Sequence, residues 1–180
     1  MGDSEPFDAL MAMLDPPMVV VTAAVGGERG GCLIGFHAQS SIDPGRYTVW
    51  LSKANHTYRL ALRATHLVIH FLGADDVALA ARFGTLTGDE VDKFADLAVR
   101  AGPGGAPELL THPHRVVLRR VALLDEGGDH VCVVTEPVAV HSTGRLAPLR
   151  LSAVAHLHPG HAAAERPHPV TERADPPGPR

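Results

Sequence analysis

The order of strand-like and helix-like segments is the feature that most limits the folds open to this 180-residue chain. Apolar, β-branched runs come first, short amphipathic patterns with a helical period follow, and two long strand-like runs return near the end. Because no strand–helix–strand rhythm repeats, a doubly wound parallel sheet is disfavoured. The order predicts an α+β, mainly β fold, in which short helices pack outside an antiparallel barrel.

The bounds of the segments follow from periodicity and from turn residues. We predict helices at residues 6–14, 55–65, 75–83 and 89–100. We predict strands at residues 18–24, 32–34, 47–51, 66–72, 114–124, 130–140 and 149–155. The two longest strands are expected to form a hairpin, because Gly and Asp residues that suit a tight turn fill residues 125–129.

Length and composition predict one domain over residues 1–155, followed by a tail at residues 156–180 that is rich in Pro and His. We expect this tail to be disordered. The net charge of −4 and the lack of a Lys/Arg cluster argue against a nucleic-acid partner. No apolar run reaches the ~18 residues of a membrane span, and the acidic N-terminus does not resemble a secretory signal. We therefore expect a cytoplasmic protein without a membrane partner.

Residues 31–57 carry the clearest chemical signal in the chain. Two strand-like runs flank a polar segment there, and the second run is followed by Ser52, Lys53, Asn55 and Thr57 at the expected start of a helix. Hydroxyl, amide and ammonium groups beside unpaired helix N–H groups suit an anionic phosphate. Two simpler interpretations stay open: Lys53 as a solvated surface lysine, and Asn55 or Thr57 as a plain N-cap.

Three segments, GCLIGFHAQSSIDP, LSKANHT and GDHVCVVTEPVAV, occur in an order that resembles the flavin reductase-like, FMN-binding split β-barrel family. The resemblance covers residues 10–150. It implies a homodimer that binds FMN, with FAD as an alternative, and that uses NAD(P)H as a transient co-substrate. It leaves a partner monooxygenase open as the recipient of reduced flavin. LSKANHT stands where the family holds the flavin phosphate, which implies this role for Ser52, Lys53, Asn55 and Thr57.

The same resemblance implies which residues contact the flavin ring. His130 would lie near the reacting face, where it would seat the nicotinamide and serve as a proton donor. The alternative for His130 is a strand-start histidine bonded to the adjacent turn. The ring and the ribityl chain would be lined by five consecutive residues: Gly35, Phe36, His37, Ala38 and Gln39.

One departure from the family pattern bears on activity. Gly35 and Phe36 replace the usual Asn-Ser or Ser-Ser pair. Phe36 could pack on the ring and Gln39 could bond its pyrimidine edge, although Phe36 could also be a core residue. The primary prediction is a flavin-dependent oxidoreductase, NAD(P)H:flavin reductase-like, in which hydride passes from the reduced nicotinamide to flavin N5. The alternative is a non-catalytic flavin or deazaflavin carrier on the same barrel.

The remaining histidines give no second clear site. His66 and His70 alternate onto one face of a strand, so they could share a site or form a satisfied interior pair. Four tail histidines invite a metal or haem site: His156, His158, His161 and His168. Because no carboxylate or cysteine stands at a fixed spacing from them, an adventitious cluster is favoured and no metal site is predicted.

Overall fold

The computed structural model describes residues 5–160, which form nine strands and short helices. The helical elements are α1 (Glu5–Met13), α2 (His56–Ala61), α3 (Val77–Thr85), a 3₁₀ turn (Pro103–Gly105) and α4 (Leu151–Val154). The strands are β1 (Val19–Val25), β2 (Glu28–Ile34), β3 (His37–Ser41), β4 (Arg46–Ser52), β5 (His66–Phe71), β6 (Val99–Ala101), β7 (Pro107–Leu109), β8 (Arg115–Leu124) and β9 (His130–His141).

Seven strands form one antiparallel sheet in the order β2-β1-β5-β8-β9-β4-β3, and β6 pairs with β7 separately. The two edge strands of the large sheet, β2 and β3, are consecutive in the chain and are joined only by Gly35 and Phe36. Since each residue spans at most about 3.5 Å, the two edges must lie close together and the sheet must curl. The ladder does not continue from β2 to β3. This split barrel confirms the predicted antiparallel barrel with short helices outside it.

Side chains of β1 alternate between two apolar clusters on opposite faces of the curled sheet. Val19 and Val21 belong to the interior cluster, to which α2 contributes Leu60. Val20 belongs to an outer cluster, in which Phe83 of α3 takes part. The period of two therefore packs one face of the sheet against the barrel interior and the other against α3 and α4.

His37, at the start of edge strand β3, connects β4 to the segment that leads into β1. Its Nδ1 lies 2.6 Å from the Tyr47 hydroxyl and its Nε2 lies 3.0 Å from the Pro17 carbonyl oxygen. Burial lowers the pKa of His37 and raises the pKa of Tyr47 to about 12, so both side chains are neutral near pH 7. These bonds tie β3 and β4 to the segment that leads into β1.

The prediction of a helix at residues 89–100 is wrong. Most of this segment forms turns, and its last two residues lie in β6. The Asp92 carboxylate accepts a hydrogen bond from the Phe94 N–H, and Asp96 has a φ of 61°. Buried Lys93 donates to the Gly31 and Phe83 carbonyl oxygens at 3.1 Å. A turn that directs Lys93 inward thus replaces the helix.

The prediction of a strand at residues 149–155 is wrong, because residues 151–154 form α4 and no strand covers this segment. Pro148 and Arg150 form isolated β-bridges, after which the chain turns into α4. The Asp15 carboxylate accepts hydrogen bonds from the Ser152 N–H and hydroxyl at 2.7 and 2.8 Å, which supplies a cap from a distant part of the chain. Beyond α4, Leu157 packs on the outer cluster. Of the predicted tail, residues 161–180 lie outside the described residues.

Candidate functional site

A cavity of about 430 Å³ opens between the curled sheet and the α3–α4 side of the molecule. Its polar groups come from the end of β4 and the start of β9 and comprise Ser52, Asn55, Asp129 and His130. Its aromatic lining consists of Phe36, Trp50 and Phe83, and its aliphatic lining includes Met18, Leu33, Ile34, Leu151, Val154 and Leu157. An apolar cavity with a few convergent polar groups is the usual form of a small-molecule site.

Strand register brings the predicted phosphate segment next to the predicted histidine. Ser52 and His130 are direct partners in the β4–β9 ladder, and the Lys53 N–H donates to the Asp129 carbonyl at 2.9 Å. These residues lie more than 70 positions apart in the sequence. The antiparallel pairing therefore builds the polar end of the cavity.

Asn55 both caps a helix and lines the cavity. Its side-chain oxygen accepts a hydrogen bond from the Thr57 N–H at 3.0 Å, and its own N–H donates to the Ser52 carbonyl at 3.0 Å. These two bonds fix the turn between β4 and α2. The capping interpretation of Asn55 is thus confirmed, and it is compatible with contact to a ligand because the same residue lines the cavity.

His130 is oriented by the residue before it. Its Nδ1 donates to Asp129 Oδ1 at 2.8 Å, and this hydrogen bond lowers the pKa of the Asp129 carboxyl. A carboxylate on Nδ1 leaves Nε2 as the ring nitrogen that can exchange a proton with a bound molecule. The Phe36 ring meets the imidazole edge-on, with 5.2 Å between ring centroids.

The structure brings five predicted residues into this cavity, namely Gly35, Phe36, Ser52, Asn55 and His130. It places the other five outside the lining: His37, Ala38, Gln39, Lys53 and Thr57. The Lys53 ammonium lies 2.9 Å from Asp125 Oδ1 and is nearly buried. Gln39 is exposed on β3 and donates to the Ser41 carbonyl, whereas Thr57 is fully buried.

Sequence reasoning missed Trp50 and the wall formed by α4 and residues 155–159. Trp50 could have been found, because it lies two positions before Ser52 on β4 and thus shares its face. The wall could not, because its place depends on the contact between Asp15 and Ser152, 137 residues apart.

Two further properties of the described residues bear on the class of site. Within residues 5–160, no group of three or more His, Cys, Asp or Glu side chains is arranged to hold a metal ion. No helix in the same range is both long and apolar enough to cross a membrane.

The chain is similar to known proteins in both sequence and structure. A family model described as "Flavin reductase like domain" matches residues 11–153. The chain is 31% identical over 143 residues to the FMN reductase (NADH) SmoA of Agrobacterium fabrum, covering 79% of each protein. It is 30% identical over 137 residues to an NADH:riboflavin 5′-phosphate oxidoreductase of Streptomyces pristinaespiralis, covering 75% of each. A solved structure of an FMN-binding protein from Thermus thermophilus, with bound p-hydroxybenzaldehyde, superposes with a TM-score of 0.65 at 26% identity, covering 71% of each chain.

Proposed function

The chain belongs to the flavin reductase-like family, and we propose that it is a flavin-dependent oxidoreductase that transfers hydride from NADH to FMN. The observation that carries this proposal is the pairing of Ser52 with His130 at the polar end of a largely apolar cavity. The relatives from Agrobacterium and Streptomyces are named for NADH and for FMN or riboflavin 5′-phosphate, which supports this donor and acceptor.

The residues of the cavity fit the two chemical halves of FMN. Phe36 and Trp50 offer aromatic surfaces to a planar ring, and the aliphatic wall contains no charged group. Ser52 and Asn55 offer a hydroxyl and an amide to the phosphate and the ribityl hydroxyls. The titratable side chains among the lining residues, Asp129 and His130, lie together at the polar end.

The chain's own groups would orient the reactants and handle the proton. FMN, when bound, supplies the chemistry by accepting hydride at its N5 position. The apolar wall would exclude water from the ring, while Asp129 fixes the tautomer and the direction of the His130 imidazole. His130 Nε2 would hold or donate a proton at the edge of the bound nicotinamide or flavin.

The experiment that tests this proposal uses the single tryptophan of the chain as a probe. Because Trp50 lines the cavity, added FMN should quench its fluorescence in a saturable way and acquire the spectrum of a bound flavin. NADH should then be oxidised in an FMN-dependent manner, with an excess of free flavin as acceptor. A colourless protein that neither quenches with FMN nor oxidises NADH would contradict the proposal.

Phe36 supports a second candidate, a flavin carrier without turnover. Its side chain is 60% exposed, lines the cavity and contacts His130, where a nicotinamide would approach. In that case FMN would bind and NADH oxidation would be absent. Restoring NADH oxidation with Phe36→Ser would then identify this ring as the obstruction.

We also propose a homodimer in which α1 takes part. One face of α1, together with Leu14, which directly follows the helix, carries apolar residues that are 36–65% exposed: Phe7, Leu10, Met11 and Leu14. A soluble protein seldom leaves such a face uncovered. The wild-type protein should have the mass of a dimer in size-exclusion chromatography with light scattering. Leu10→Asp should shift it to monomer, whereas Ala9→Asp, on the opposite side of α1, should leave it a dimer.

A further inference from the structure

The His56 imidazole fills a slot between two glycines on different elements. A Cβ atom added to Gly30 of β2 would lie 3.0 Å from His56 Cδ2, and one added to Gly88 would lie 3.0 Å from the same atom. His56 is 8% exposed and is the first residue of α2. The ring therefore packs against β2 on one side and against the turn at residues 87–90 on the other.

Polar contacts hold this ring on its Nδ1 side. Nδ1 lies 2.9 Å from Asp89 Oδ1 and 3.0 Å from Arg59 Nη2, and Arg59 also donates to Asp89. An Nδ1–H tautomer donates to the carboxylate, whereas the other neutral tautomer accepts from the guanidinium. The ring is thus held in either tautomer. The Arg59 and His56 hydrogen bonds lower the pKa of Asp89 to about 2, so the carboxylate stays ionised.

The Nε2 side differs, because it makes no hydrogen bond with any residue in the described range 5–160. Glu28 Oε1 lies 3.3 Å away on a side chain that is 54% exposed. The two ring nitrogens are therefore unequal: Nδ1 has two hydrogen-bonding partners, and Nε2 has only the exposed carboxylate of Glu28 nearby. Loss of the Nδ1 contacts should release the ring, whereas loss of the Nε2 contact should not.

His56 directly follows Asn55, which lines the candidate cavity. Because Asn55 caps the helix that begins at His56, a shift of α2 relative to β2 would move Asn55 and disturb the hydrogen bond that it accepts from the Thr57 N–H. We propose that His56 is a positioning residue of the flavin site, which holds Asn55 in place by locking α2 against β2 and the turn at residues 87–90. This inference rests on the proposed function, since it concerns how tightly the site holds FMN.

The two amide substitutes for histidine test this proposal. An asparagine amide reaches the position of Nδ1, and a glutamine amide reaches that of Nε2. His56→Ala should weaken FMN binding about 10-fold in a Trp50 fluorescence titration, by analogy with other supporting contacts around a site. His56→Asn should restore the affinity to within about threefold, and His56→Gln should not. The NADH KM at saturating FMN should stay unchanged in all three variants.

These outcomes separate positioning from mere space filling. If the ring only fills the slot, the larger glutamine should restore binding at least as well as asparagine, and that result would overturn the proposal. Unchanged FMN affinity in His56→Ala would overturn it as well and leave the proposed function intact. Absence of FMN binding by the wild-type protein would instead overturn the proposed function, and the role of His56 in flavin binding with it.

A measurement without flavin completes the test. Hydrogen exchange of the protein as purified should become faster at residues 52–57 and 87–90 in His56→Ala, and return to the wild-type rate in His56→Asn. Gly88→Ala should have a similar effect in the wild type, since its Cβ would meet the imidazole. When Gly88→Ala is added to His56→Ala, it should cause no further increase in exchange, because the ring that the new Cβ would meet is gone. Equal exchange in all these proteins would overturn the coupling.

Discussion

Acidification from pH 7 to pH 5 should lower the free energy of unfolding by about 2 kcal/mol through His70 alone. This side chain is fully buried, and burial lowers its pKa from 6.5 to about 3. Between these two values the unfolded chain binds a proton that the folded protein does not, so stability falls as the pH falls. In the folded protein Nδ1–H donates to the Val20 carbonyl and Nε2 accepts from the Leu109 N–H.

The measurement is a pair of urea unfolding curves at pH 7 and pH 5, for the wild-type protein and for His70→Gln. Glutamine can still accept the Leu109 N–H bond but does not titrate, so the variant should be less stable at pH 7 and should approach the wild type at pH 5. Other groups, including half-buried His37, titrate in both proteins and cancel in the difference. A stability difference that is the same at both pH values would contradict the prediction.

His70 also shows how much of the structure could be predicted from the sequence. Alternation on β5 predicted that His66 and His70 share one face, and it left a joint site and an interior pair open. His70 is fully buried and hydrogen-bonded in the interior, whereas His66 is partly exposed and bonds the Thr65 hydroxyl. The partners of His70 come from β1 and β7, which a local pattern cannot identify.

Local sequence patterns predicted the strands in which apolar residues recur with a regular period, and they missed a strand that lacks such a period. The buried strands β1 and β5 and the partly buried strand β8 were predicted because their apolar residues recur regularly. Strand β3 was missed because it is a polar edge strand whose middle three residues are exposed. Lys53 shows the same limit: its side chain pairs with Asp125, a residue that only the β4–β9 register brings near.

Only some of the residues that the sequence assigned to the flavin line the cavity. This difference leads to the second prediction with a large expected effect, a loss of FMN affinity. Asn55 lines the cavity, whereas Gln39 is exposed on β3 outside the lining, although the sequence assigned both to the flavin. Replacing either amide by a carboxylate adds the same charge with almost no change in size. We expect Asn55→Asp to weaken FMN binding on the order of 100-fold, because like charges in contact cost several kcal/mol. Gln39→Glu should leave the affinity within about twofold of the wild type, as exposed substitutions usually do.

Asn55→Asp also separates the two roles of this residue. Aspartate caps helices as well as asparagine, so the hydrogen bond from the Thr57 N–H and the melting temperature should both be retained. Riboflavin, which lacks the phosphate, should bind Asn55→Asp almost as well as it binds the wild type. Fluorescence titrations of Trp50 with FMN and with riboflavin measure both effects. Equal losses for the two ligands would place the phosphate away from Asn55 and assign this end of the cavity to the ring, because only a contact with the phosphate distinguishes FMN from riboflavin.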